Sequence, residues 1–138
     1  MADIIKLEIV TPERSVVNEE AKIVMAPGTL GEFGVLSGHT PFMTSLKTGS
    51  VHYVDTTGKE RFVFVSGGFA EALPDRVTIL ADSAERRKDI DLERAKGAKV
   101  RAEERLAKGG DGSIDTARAR AALMRSINRI RLAETRQM

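Results

Sequence analysis

The sequence predicts an α+β chain: an N-terminal antiparallel β-sandwich or barrel over residues 1–84, then a C-terminal α-helical hairpin over residues 85–138. Three observations predict it. All 4 prolines and all 6 Phe and Tyr residues fall in the first segment, where apolar residues come in short β-branched and aromatic runs bounded by turn formers. Somewhere between residues 81 and 89 the apolar spacing turns helical and the composition shifts to Ala, Arg and Glu. The charge changes sign there too: residues 1–81 hold 7 Lys/Arg against 10 Asp/Glu, and residues 82–138 hold 15 against 10.

The runs follow in order. Residues 4–10 end at Thr11-Pro12-Glu13, and residues 21–25 end at Pro27-Gly28. Residues 51–54 meet residues 61–65 across Asp55-Thr56-Thr57-Gly58, a hairpin candidate. Residues 69–73 and 77–81 follow, separated by Pro74-Asp75, and about eight to ten strands are expected in all. Such a segment supports a small core that buries about 60% of the unfolded surface, enough for marginal independent stability. Leu92, Ala95, Ala102 and Leu106 then predict a helix over residues 92–108, with Asp91 as its cap. Gly109-Gly110-Asp111-Gly112 stops it, and Ser113 or Asp115 caps a second helix with Ala117, Ala121, Met124 and Ile127 along one face. Both stripes are thin and alanine-heavy, so burying them recovers little at roughly 25 cal/mol per Å². Weak, reversible docking is expected, which suits a segment that changes position.

Composition excludes several functions. At 138 residues, one domain and a small appendage fit, and 41% hydrophobic with 30% charged residues describes a folding chain. The absence of cysteine removes disulfides, thiolate metal sites and cysteine nucleophiles. No run approaches the roughly 18 apolar residues of a membrane span, and the start Met1-Ala2-Asp3-Ile4 does not read as a signal peptide. His39 and His52 lack the company a metal site needs, so no metal is expected. Ser66 in Val65-Ser66-Gly67-Gly68 misses the nucleophile elbow, so no catalytic residue is assigned. Gly28, Gly31, Gly34 and Gly38 read as turn geometry rather than a phosphate loop, because no Gly-Lys-Ser/Thr follows.

The tail carries Arg118, Arg120, Arg125, Arg129, Arg131 and Arg136 with few acids nearby. Arg125 and Arg129, four apart, repel by roughly 0.2–0.5 kcal/mol, which an anionic partner would relieve. Nucleic acid is one alternative, a β-barrel with a basic helical tail, although no aromatic residue in the tail can stack on bases. An enzyme using Asp91, Glu85 and His39 is another, although those residues lie in different segments.

The stretch Gly31-Glu32-Phe33-Gly34-Val35-Leu36-Ser37-Gly38-His39-Thr40-Pro41 resembles the ε subunit of F-type ATP synthases, bacterial type. The resemblance runs end to end: Leu7-Glu8-Ile9-Val10-Thr11-Pro12, Leu46-Lys47-Thr48-Gly49, Val65-Ser66-Gly67-Gly68-Phe69-Ala70-Glu71 and Ile90-Asp91-Leu92-Glu93-Arg94-Ala95. It implies a non-catalytic rotor subunit of the central stalk, coupling c-ring rotation to ATP synthesis and braking ATP hydrolysis through its C-terminal helices. The partners implied are the γ subunit and c-ring at the sandwich and the α and β subunits at the helices. Glu32 and His39 match c-ring-facing positions, and Arg118, Arg120, Arg125 and Arg129 form the face toward an acidic β-subunit loop. Gly34 and Gly38 are expected to serve backbone geometry. Some bacterial members bind ATP as a regulatory ligand, and Glu85, Asp91, Arg94, Arg101, Arg125 and Arg129 match that site; no cofactor is required. Asp91 is equally the expected cap of the first helix, and Arg94 can pair with a neighbouring carboxylate. No Arg- and Ser-rich leader precedes Ile4, so a bacterial chain is expected, peripheral on the cytoplasmic side of the inner membrane through its complex rather than through lipid.

Overall fold

The computed structural model describes residues 3–109, 112 and 115–135, and two compact units meet between Arg87 and Lys88. Ser113 as a cap, Gly110 and Asp111 of the glycine stop, and Arg136 of the basic tail lie outside the described residues.

The first unit holds nine strands among the described residues. In β1 (Ile5–Val10), Ile5, Leu7 and Ile9 are buried and the residues between them are not, the alternation of a strand with one face on a core. β2 (Ser15–Gly28) runs 14 residues, longer than the apolar run 21–25 suggests. Its first half pairs antiparallel with β1, Ile5 opposite Ala21. Its second half pairs with β5 (Gly49–Asp55) on one edge and with β3 (Gly31–Val35) on the edge that β1 has left. The β5 register shifts between Ala21 and Ile23, and an extra residue of this kind bends a strand. β2 therefore passes from one layer to the other. β5 and β6 (Glu60–Ser66) form the expected hairpin, and β9 (Ser83–Arg86) adds to the free edge of β6. On the other side β4 (Phe42–Ser45), β7 (Phe69–Leu73) and β8 (Arg76–Leu80) pair antiparallel in turn. β8 then meets β1 in parallel, Leu7 beside Val77. No short turn joins these two strands, so no hairpin fixes their direction.

The two layers enclose one cluster, built from Ile5, Leu7, Ile9, Val17, Val24, Val35, Val51, Tyr53, Val63, Val65, Val77 and Ile79 with small residues between them. Two glycines matter in the β3 region. Gly38 has φ +86°, which favours glycine, and a Cβ on Gly34 would lie 2.7 Å from Met25 Sδ across the β2–β3 ladder.

The hairpin turn is organised by one carboxylate. Asp55 Oδ1 accepts from Thr57 N (2.9 Å), Thr57 Oγ1 (2.6 Å) and Lys59 N (3.0 Å), while Arg61 Nε donates to Oδ2 at 3.0 Å. These donors, the Thr57 hydroxyl first, hold the Asp55 carboxyl well below the usual carboxylate range.

The second unit is α1 (Leu92–Ala107) and α2 (Thr116–Glu134), packed on each other. Asp91 caps α1 by accepting from Arg94 N at 3.0 Å, and Asp115 caps α2 by accepting from Arg118 N at 3.0 Å. Ala95 and Ala102 are buried on α1 as expected. On α2 the expected stripe is displaced: Ala117, Ala121 and Met124 are exposed and Ile127 is half-buried, whereas Ala119, Ser126 and Leu132 are buried. Small side chains allow close helix approach, and Ser126 is spared an unmet hydroxyl because its Oγ donates to Leu123 O at 2.9 Å. A ranking by hydrophobicity passes over such a serine.

Candidate functional site

The basic surface is built by α2. At 3.6 residues per turn, Arg118, Arg125 and Arg129 fall within about 40° of one another round the helix, while Arg120 and Arg131 lie roughly 200° away. The four arginines of the expected acidic-partner face thus divide: three form one stripe, and Arg120 joins Arg131 on another. Arg118 and Arg120 are exposed, Arg125 and Arg129 half-buried.

Two of the residues expected to bind nucleotide are joined at the start of α1, where Asp91 spends one carboxylate oxygen on the Arg94 backbone. Lys96 Nζ lies 3.8 Å from Glu93 Oε2 on its own helix and 3.9 Å from Glu134 Oε2 on α2. With both helices rising about 1.5 Å per residue, this antiparallel alignment sets Arg101 at the level of Arg129, with Arg125 one turn along. Arg101 lies back along its own helix, its Nη1 3.3 Å from where a Gly97 Cβ would sit. Glu85 belongs to β9 of the first unit.

The expected ring-facing residues lie at one end of the sandwich. Glu32 is exposed on β3, opposite Pro27. His39 follows β3, and its Nδ1–H donates to Thr40 O at 2.6 Å. The His39 ring sits 6.2 Å from that of Phe42, which meets Phe33 edge-on at 5.2 Å. Exposed apolar residues lie near these in the chain: Leu30 at 98%, Met43 at 66% and Leu36 at 57%. These three were missed from the sequence. A leucine between Thr29 and Gly31, in a turn, was the available signal.

A second apolar surface was also missed. Phe69 pairs with Leu80, and Leu80 with Val10, so a row of outward side chains crosses β7, β8 and β1. It borders a concavity of about 360 Å³ lined also by Thr11, Pro12 and Asp82. Phe69 and Leu80 are more than half exposed.

A polar cluster joins three strands. Tyr53 OH donates to Glu19 Oε1 at 2.6 Å, and Arg86 Nη2 donates to Glu19 Oε2 at 3.0 Å. Arg86 also donates from Nη1 to the Tyr53 oxygen (3.3 Å) and from Nε to Val16 O (3.2 Å). Burial, reinforced by the Glu19 carboxylate, pushes the Tyr53 phenol up to about 12. Burial also raises Glu19, but the hydrogen bonds from Tyr53 and Arg86 outweigh it and hold the carboxyl below its ordinary value.

Two family descriptions match the chain in succession. Residues 4–87 match the ATP synthase Delta/Epsilon chain beta-sandwich domain, and residues 88–134 match the ATP synthase Delta/Epsilon chain long alpha-helix domain. The chain is 61% identical over 136 residues to the ATP synthase epsilon chain of Desulforapulum autotrophicum, covering 99% of this chain and 100% of that one. It is 54% identical over 138 residues to the ATP synthase epsilon chain of Desulfatibacillum aliphaticivorans, covering 100% and 97%. Among solved structures it is similar in fold to a chain of the Euglena gracilis mitochondrial ATP synthase OSCP/F1/c-ring assembly in rotational state 1. There the TM-score is 0.79 at 23% identity, covering 93% of this chain and 80% of that one.

Proposed function

Because the chain belongs to the ATP synthase delta/epsilon chain family, we propose that it works as the epsilon-type subunit of a rotary ATP synthase, a non-catalytic part of the central stalk. It couples rotation of the c-ring to ATP synthesis in the catalytic head and restrains ATP hydrolysis through its helices. The observation that carries this is the match of both segments in order, with the change from one description to the next at residues 87 and 88, where the structure itself divides. The family match leaves a nucleic-acid-binding barrel without support.

Partners follow from surface chemistry. The end bearing Glu32, His39, Leu30 and Met43 suits the loops of the c-ring, and the Val10–Leu80–Phe69 row suits an apolar face of the γ subunit. The stripe Arg118, Arg125 and Arg129 suits a carboxylate-rich loop of the β subunit near its α neighbour, with Arg120 on the opposite side of the helix playing the lesser part. No helix among the described residues is long and apolar enough to cross a membrane, so membrane association comes through the complex, on the cytoplasmic side of a bacterial inner membrane in this reading.

The same helices offer a regulatory nucleotide site from Asp91, Arg94, Arg101, Arg125 and Arg129, while Glu85, expected to join them, belongs to β9 of the first unit. Arg101 and Arg129 at one level, with Arg125 a turn away, support this reading, since neighbouring guanidinium groups can share triphosphate oxygens. ATP bound there would stabilise one arrangement of the helices by mass action. Calorimetric titration of the chain with ATP checks this; binding that survives Arg101→Ala and Arg129→Ala together removes the site.

The function is tested on a matching catalytic head that lacks this subunit, titrated with the full chain and with a version ending at Arg87. The sandwich core is closed within residues 5–84, so the shorter version retains it. Both versions are expected to bind and only the full chain to inhibit hydrolysis. Binding by neither refutes the assignment.

A further inference from the structure

If the helical unit acts by changing position, the chain must have a place where that motion starts. β9 is the last element of the sandwich, and it is an edge strand paired on one side only, to β6. An edge strand of four residues that leads along the chain into such a unit is the natural segment to peel away. Here it carries extra fastening. Arg86, its last residue, sits opposite Val63 in the β6 ladder and reaches across to β2 and β5 through three side-chain hydrogen bonds, to Glu19 Oε2, Tyr53 OH and Val16 O. Arg86 and Glu19 keep only 22% and 35% of their side-chain surface exposed, so the pair is partly shielded from solvent. Tyr53, buried in the core, closes the triangle on Glu19. One residue on, the Arg87 guanidinium lies 4.5 Å from the centre of the Phe62 ring, which is tilted against His52 at 5.6 Å. Beyond Arg87 the character changes, with Lys88 and Asp89 exposed.

We propose that Glu19, Tyr53 and Arg86 form a clasp that keeps β9 on the sandwich while the helical unit moves, so that the pivot is confined to residues 88–91. The proposal rests on the reading of the helices as a movable brake. It adds where the motion stops: the sandwich that holds its partners passes no disturbance through β9, because the bonds that would have to break are charge-assisted and cross three strands. Confinement also shortens the free segment, which narrows the region the helices can search.

The chain has no cysteine, so one introduced pair is unambiguous. Ser66 and Ser83 are opposite partners in the β6–β9 ladder. Facing residues in such a ladder sit about 4.5–5.5 Å apart at Cα, within disulfide reach. The full-length double variant Ser66→Cys, Ser83→Cys is oxidised before mixing with the catalytic head, and its inhibition is compared with that of the same protein after dithiothreitol. Equal inhibition in both forms is expected. Inhibition present when reduced and lost when oxidised means that β9 must detach, and overturns the proposal.

Amide hydrogen exchange on the isolated full chain reads the clasp independently of any brake. β9 amides are expected to be protected like those of β6, with residues 88–91 exchanging fast. Glu19→Gln and Tyr53→Phe should each speed β9 exchange by roughly tenfold, as expected for loss of a hydrogen bond to a charged group, while the β6 amides directed at β5 stay unchanged. β9 amides exchanging at the rate of residues 88–91 in the unmodified chain overturn the clasp. If the unlocked chain does not inhibit at all, the brake reading fails and the exchange result alone decides.

Discussion

Tyr53 is the only tyrosine and there is no tryptophan, so phenolate absorbance reports this one side chain. The fold favours the protonated phenol, whose value rises from 10.0 to about 12. Its stabilisation is therefore complete below about pH 10 and is lost as pH climbs toward 12. Glu19 has the opposite sign: its lowered value means stabilisation present above its ordinary 4.5 and lost as pH falls through the depressed native value. An alkaline titration of the native chain should show phenolate appearing near 12, and Glu19→Gln should move the midpoint down. Tyr53→Phe should remove an alkaline stability loss on the order of 2 kcal/mol, seen by comparing unfolding midpoints across that window. A midpoint near 10 in the native chain would mean the phenol is not buried against Glu19. None of this was legible beforehand, because the three residues are 34, 33 and 67 positions apart and each alone is ordinary in a strand. Asp91 as a cap and Gly34 and Gly38 as geometry residues were legible, since their causes are local: a cap acts within three residues, and φ +86° at Gly38 belongs to one residue.

At the scale of elements, α2 sets the outcome. Its arginines read as one basic run, but helical pitch separates Arg118, Arg125 and Arg129 from Arg120 and Arg131. Reversing the first three to Glu should weaken inhibition of a matching catalytic head by roughly tenfold or more, in line with several close charge pairs lost. Reversing Arg120 and Arg131 should cost several-fold less, and both effects should shrink as salt is raised. Equal losses from the two sets would show that overall charge, not one stripe, is what the partner reads. The buried face of α2 was misplaced for a related reason. Ala119 and Ser126 lie inward because neighbouring α1 presents Ala95 and Ala102, and a close small-residue interface excludes Met124.

For the whole molecule, the proposed function implies a division of labour between a sandwich whose exposed apolar residues meet partners and helices that carry charge. Leu80→Glu should leave the unfolding midpoint unchanged, because Leu80 is 57% exposed. It should weaken assembly into the complex by roughly tenfold, the cost of a charge in an apolar contact, as read by co-purification with the remaining subunits. Unchanged assembly would remove the Val10–Leu80–Phe69 row as a docking face. The sequence by itself determined the α+β class, the change of grammar before the helices, the β5–β6 hairpin and Asp91 as the first helix cap, and it narrowed the second cap to Ser113 or Asp115. Each of these arises from interactions within a few residues or from a period along one element. Only tertiary structure decided the bend of β2 between layers, the parallel β1–β8 pair, the buried side of α2, the exposed apolar row and the clasp on β9. Those depend on which strands and faces meet across long stretches of chain, and such meetings are selected by packing of the whole core, which no local pattern encodes.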